Sequence, residues 1–117
     1  MYVEFLRDWD MSRRWESNWM QFEVEDLHFG KERIVQASCL EFAWQEVVGS
    51  PGGKIIIFVS NNLRSSKRLK EFDIDTPSNI ENAYFLNIYF PSFLYFKIIY
   101  EPNGINSGKL TVGGLYR

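Results

Sequence analysis

Few residues in this chain of 117 amino acids could carry chemistry, and each lacks the company that chemistry needs. There is one cysteine, Cys39, and one histidine, His28. A cysteine nucleophile needs a base that keeps it as the thiolate, so Cys39 with His28 is the sole pairing on offer. Cys39 stands in Ala37-Ser38-Cys39-Leu40, a setting for a small buried apolar residue. One cysteine forms no internal disulfide, and one histidine without companions forms no zinc site. Ser12, Ser17, Ser38 and Ser50 have no base nearby in sequence, and any triad would have to run through His28.

Asp73-Ile74-Asp75 places two carboxylates on one side of an extended chain. Such a pair can hold a divalent cation or divide acid and base work, but no third ligand and no calcium-loop glycine accompany it. Gly104-Ile105-Asn106-Ser107-Gly108-Lys109 approaches a phosphate loop, yet only three residues separate the glycines where four are needed. Leu110 follows the lysine in place of Ser or Thr, so the segment reads as a turn. The expectation is no catalytic residue, no metal, no cofactor and no enzyme.

Charge narrows the partners. Thirteen Lys and Arg stand against fifteen Asp and Glu, a formal net charge of -2. Arg64, Lys67, Arg68 and Lys70 form a short basic cluster, but Glu71, Asp73 and Asp75 follow at once. That mixture reads as a solvated loop, and nucleic acid is not expected as a partner. The first ten residues carry Glu4, Arg7, Asp8 and Asp10, unlike a signal peptide. The most apolar tract, 84–100, is interrupted by Asn87, Pro91, Ser92 and Lys97, so no membrane helix is expected. Synthesis in the cytoplasm follows as the expectation.

What remains is aromatic content, 17% of the chain. Trp9, Trp15 and Trp19 lie among charged residues where a core is hardest to read. They have three possible uses: covering one end of a core, docking into a neighbouring chain, or stacking on a sugar ring. They are the candidate partner-binding residues.

The elements that would position these groups are short strands. Asp10 could cap a short helix in which Met11, Trp15 and Trp19 share a face, with a strand over about 19–25 after it. Phe29 to Glu32 reads as a turn, and 33–38 as a strand. Over 40–48, Leu40, Phe42 and Trp44 alternate with Glu41, Ala43 and Gln45, the mark of a half-buried strand with Trp44 in the core. Gly49-Ser50-Pro51-Gly52-Gly53 punctuates strongly. Residues 54–59, Lys-Ile-Ile-Ile-Phe-Val, form the clearest strand, ended by Ser60-Asn61-Asn62. A long polar connection over 63–80 follows, from which Phe72 or Ile74 could plug a core edge. Further strands are expected at 82–90 and 93–100, the latter apolar on both faces as in a central strand or one that meets another subunit. A loop over 101–108 leads to a closing strand at 109–112.

The fold class is therefore all-β: a β-sandwich or jelly-roll-like arrangement of six to seven short antiparallel strands, with a short N-terminal helix or arm. Residues 1–30 would be the arm and first strand, and 31–117 the sandwich domain.

Phe42-Ala43-Trp44-Gln45 before Gly49 to Lys54, then Ile55 to Asn61, then 93–100 leading to Gly104, Gly108 and 109–112, resembles the discoidin-like β-sandwich module of tailed-phage virion proteins. The resemblance covers about 33–113. Two features depart from it: Asn62-Leu63-Arg64 follows Ser60-Asn61 where Asp or Gly and then Trp are usual, and residues 1–30 have no counterpart. The resemblance implies a virion structural role as a capsid-associated, fibre or tail component. It implies assembly with other virion proteins and self-association, a trimer before a dimer. The chain would then reside in the virion. A carbohydrate-binding module, with a glycan as ligand, shares the fold and is the alternative.

Overall fold

Alternating β-branched and aromatic residues drive nearly the whole chain into strands. The computed structural model describes residues 1–28, 30–75, 82–89 and 92–117. It is all-β, 79% strand, with no helix among the described residues. The strands are β1 (Tyr2–Asp10), β2 (Trp15–Glu16), β3 (Met20–Gln21), β4 (Glu23–His28), β5 (Lys31–Ser60), β6 (Lys67–Asp75), β7 (Asn82–Asn87) and β8 (Tyr95–Tyr116). Every pairing is antiparallel.

Two strands organise the rest. β5 and β8 pair from Ala37↔Tyr116 to Ser60↔Tyr95, with register shifts clustered between Gln45 and Gly52. β1, β2 and β3 follow one another along the free edge of β8, from Tyr2↔Leu115 to Gln21↔Tyr95. β6 and β7 do the same along β5, β6 against 52–59 and β7 against 39–44. The result is one sheet, four strand positions wide, that bends across its middle.

The bend folds the sheet into two facing leaves. The first leaf holds β1, residues 109–116 of β8, 37–45 of β5, and β7. The second holds β2, β3, residues 95–103 of β8, 52–60 of β5, and β6. Aromatic contacts cross between them. Phe42 meets Phe72 edge-on at 5.3 Å, Phe72 stacks on Tyr84 at 4.0 Å, and Phe5 meets Phe96 at 6.0 Å. The shortest dimension, 21 Å, fits two backbone layers about 10 Å apart with their outward side chains. Strands that pass from leaf to leaf through bulges form the corner of such a sandwich.

The bend is built on a close backbone approach. Gly49 has φ +115°, and a β-carbon there would collide with the Gly104 carbonyl and come within 2.8 Å of the Asn106 nitrogen. Glu46 beside it also has positive φ, 55°. The interior is one cluster of inward residues: Leu40, Phe42 and Trp44 from one leaf, Ile55, Ile57, Val59, Phe96 and Ile98 from the other. Fully burying each aliphatic or Phe side chain contributes about 1.5–3 kcal/mol before ordering costs. On the first leaf, Gly113 lies beneath the Tyr2 ring and Gly114 beneath Phe5, so aromatic rings from β1 cover both faces of a glycine pair.

Several sequence expectations hold. The alternation over 40–45 is present with Trp44 buried, and Ile74 is buried at the edge of the core. Residues 95–100 lie in the interior of the sheet, between β2–β3 and β5. Others are corrected. The N-terminal helix is absent: Met11 N–H donates to the Gly108 carbonyl at 3.0 Å and Ser17 N–H to the Ile98 carbonyl at 2.9 Å. Backbone donors committed to β8 override a local helical pattern. For the same reason residues 2–22 are no arm outside the sheet but its outermost strand position. The strands expected at 33–38, 40–48 and 54–59 are one strand, and the expected loop at 101–108 lies within β8. The polar connection contains a strand, β6, whose charges mark it as a sheet edge. Residues 29, 76–81, 90 and 91, read as parts of two turns, a connection and a strand, lie outside the described residues.

Candidate interaction surface

The residues with chemical potential are dispersed by the fold. Cys39 sits in β5, half-buried, with its thiol 3.7 Å from the Leu40 carbonyl. Burial, and then the nearby Glu41 carboxylate, push that thiol above its ordinary range, the opposite of what a nucleophile needs. His28 closes the β4–β5 hairpin opposite Lys31. Asp73 pairs with Lys54 across the strands and lines an open cleft of about 460 Å³ with Glu101 and Asn103. Among the described residues no group of three His, Cys, Asp or Glu could hold a metal ion. The segment 104–109 lies in β8, with Ile105 opposite Gly49 and Lys109 opposite Gln45. It presents no loop that opens a helix.

The three tryptophans do not share a face. Trp9 and Trp15 pack half-buried against the core, and the Trp9 indole donates to the Arg13 carbonyl at 2.9 Å. Trp19 belongs to no such packing. The Lys97 ammonium stands 5.0 Å from its ring centroid, a cation–π contact. Lys97 is also 3.9 Å from Glu16, which Arg14 approaches to 3.2 Å. On the same leaf Lys54 and Arg68 both bind Glu71, at 3.0 and 2.7 Å, and Arg68 lies over Phe58. Lys54, Arg68 and Lys97 on this outer face are paired, and Ile56 and Ile99 beside them are only 5% and 8% exposed.

The end opposite the bend is different. There Phe22 ties the leaves together: its N–H donates to the Leu94 carbonyl and its carbonyl accepts from Ala37 N–H. Its ring is buried against Phe96 at 4.8 Å. Two grooves flank Phe22, Ser92 and Phe93. One, of about 580 Å³, is lined by Glu23, Glu25, Ile34 and Leu94. The other, of about 290 Å³, is lined by Leu69, Lys70, Ile88 and Tyr89. Large apolar side chains stand in water here: Leu27 is 70% exposed, Ile34 69%, Leu94 57% and Tyr89 77%.

Local chemistry holds this end in shape. Ser60 Oγ accepts from Leu63 N–H at 2.9 Å, and Asn62 Oδ1 from Arg64 and Ser65 N–H. These side-chain caps form the turn after β5. Asn61 Oδ1 reaches across to accept from Leu94 N–H at 2.9 Å and fixes the strip that bears Leu94.

This surface lies apart from Trp9, Trp15 and Trp19, none of which lines either groove. Two signals for it stand in the sequence: residues 93–100 are apolar on both faces, and the β4–β5 hairpin places Ile34 opposite Glu25 and Leu27 opposite Glu32.

No family model matches this chain, and neither the curated proteins nor the solved structures yield a match.

Proposed function

We propose that this chain is a non-catalytic assembly domain, a virion structural protein of a tailed phage that works by docking rigid β surfaces onto copies of itself or other virion proteins. One observation carries the assembly reading: the open end, where large apolar side chains surround two grooves on a frame fixed by Phe22 and Asn61. Folding does not require those side chains to be apolar, and clustered exposed apolar residues mark interaction sites. The raised thiol of Cys39 and the dispersal of His28 and Asp73 support the non-catalytic half. The virion assignment rests on the discoidin-like resemblance.

The carbohydrate-binding alternative needs a free aromatic face beside polar loops. Lys97 occupies a face of Trp19 and Tyr2 lies over Gly113, which leaves Tyr89, 77% exposed, as the ring the alternative would use. The test is sedimentation velocity across the micromolar range, for the chain alone and mixed with the structural proteins encoded beside it. Concentration-dependent association or co-sedimentation is expected. A monomer in every mixture overturns the reading, and a glycan-array signal in its place would favour the alternative.

A further inference from the structure

The two grooves carry opposite charges, with Glu23 and Glu25 lining one and Lys70 the other. On the outer face of the second leaf, Arg14, Lys54, Arg68 and Lys97 all have acidic partners. On the hairpin, Asp26 is paired with Arg33 at 3.1 Å. Glu25 has no cationic partner within 4.0 Å among the described residues, and Glu23 accepts only from the neutral Gln36 amide. Lys67 and Lys70 likewise have no acidic partner among the described residues. Lys70 stands opposite Ile57, an inward position, and lines the second groove, while Lys67, opposite Val59, stands near it on the same strand without lining it. One groove is thus apolar and acidic, the other apolar and basic, with Phe22, Ser92 and Phe93 common to both.

We infer that a second copy of this chain occupies these grooves, the acidic groove of each copy meeting the basic groove of the other about a two-fold axis through Ser92 and Phe93. The inference rests on the assembly reading above and names its partner and contact. Opposite charges on the two sides of one apolar ridge make the surface complementary to itself, as a two-fold interface requires. Leu94 and Tyr89, projecting on either side, enter the facing grooves and supply apolar area. Glu23 and Glu25 meet Lys67 and Lys70 of the other copy, which fixes orientation and disfavours like-charge registers. This closes a dimer, in place of the trimer that the resemblance implies.

Charge reversal tests the contact. Sedimentation equilibrium of the intact chain is compared with E23K/E25K, K67E/K70E and an equal mixture of the two, each confirmed as folded by circular dichroism. Each reversal alone makes both grooves the same sign, and dimerisation is expected to weaken roughly tenfold or more at low salt. The mixture is expected to recover a dimer, since one partner then brings only basic grooves and the other only acidic ones. A trimeric ring of alternating signs cannot close, so a two-fold contact alone predicts this rescue. Leu94→Ser, at an exposed position, is expected to weaken the dimer at high salt as well. An oligomer indifferent to all three variants, or a mixture that stays monomeric, overturns this contact and leaves the assembly reading standing. A chain that is monomeric at every concentration overturns self-association itself.

Discussion

The two ends of the sandwich are built to opposite rules. At the bend, backbone meets backbone: Gly49 lies against Gly104, Met11 is fully buried, and the buried Tyr100 hydroxyl donates to the Met11 carbonyl at 2.6 Å. At the open end the backbone is held by a few bonds, and apolar side chains face water. The first end has little freedom where backbone meets backbone, although Val48 there is half exposed. The second has apolar residues that stability does not demand. The difference separates what holds the chain folded from what it offers a partner.

Glycine substitution breaks the comparison most sharply. Gly49→Ala adds a β-carbon to a collision at positive φ and is expected to cost about 3–5 kcal/mol or abolish folding. Gly30, at the hairpin tip, also has positive φ, 76°, but nothing lies within 4 Å of a β-carbon there. Gly30→Ala should cost only about 1–2 kcal/mol. Urea unfolding of the two variants measures the gap, and equal losses would remove the distinction between the ends.

Tyr100→Phe comes next. It orphans the Met11 carbonyl and is expected to cost about 1–2 kcal/mol. The same tyrosine gives a pH signature. Burial holds the phenols of Tyr100 and Tyr116 protonated beyond the ordinary value of 10.0, with Tyr116 pushed up to about 12. The unfolded chain ionises first, so this contribution is complete below pH 10 and declines as pH rises from 10 through about 12. Denaturation midpoints should fall on the alkaline side of pH 10, and fall less steeply in Tyr100→Phe.

Smaller effects belong to the open end. Leu63 is half exposed with φ 62°, a left-handed conformation in the turn after β5. Leu63→Gly should raise stability by about 0.5–1 kcal/mol, seen as a higher melting temperature. Leu27→Thr and Ile34→Thr, on the exposed face of the hairpin, should change stability by less than about 0.5 kcal/mol. Loss of stability well beyond that would mean that these side chains serve folding.

Much of the strand content was legible because it is local. Leu40, Phe42 and Trp44 alternate with the smaller or polar Glu41, Ala43 and Gln45, and 55–59 is mostly β-branched, so each declares a strand from its own residues. β6 was not legible, since Lys67 to Asp75 is charged and looks like a loop until it borrows the edge of β5. Residues 11–19 carry a helical spacing that β8 overrides by taking their backbone donors. The tryptophans were singled out by type, yet Trp9 and Trp15 line the core and Trp19 lies under Lys97. The surface around Phe22 was only hinted at by the apolar faces of 93–100, because it joins residues 22–25, 34, 69–70 and 92–94, which share no segment.

Local chemistry in the chain settled its class: an all-β fold without the residue sets of a disulfide framework or a zinc site, since both need cysteines or histidines that are not there. The tertiary structure decided the rest. The segment at 49–53 looks like a break in sequence, but β5 runs through it as one strand, because its pairing with β8 resumes on both sides of the glycines while the flanking strands stop short. Which aromatic residues are core and which carboxylates stay without cationic partners depends on contacts between segments tens of residues apart. Such contacts exist only once the bend has brought the two leaves face to face.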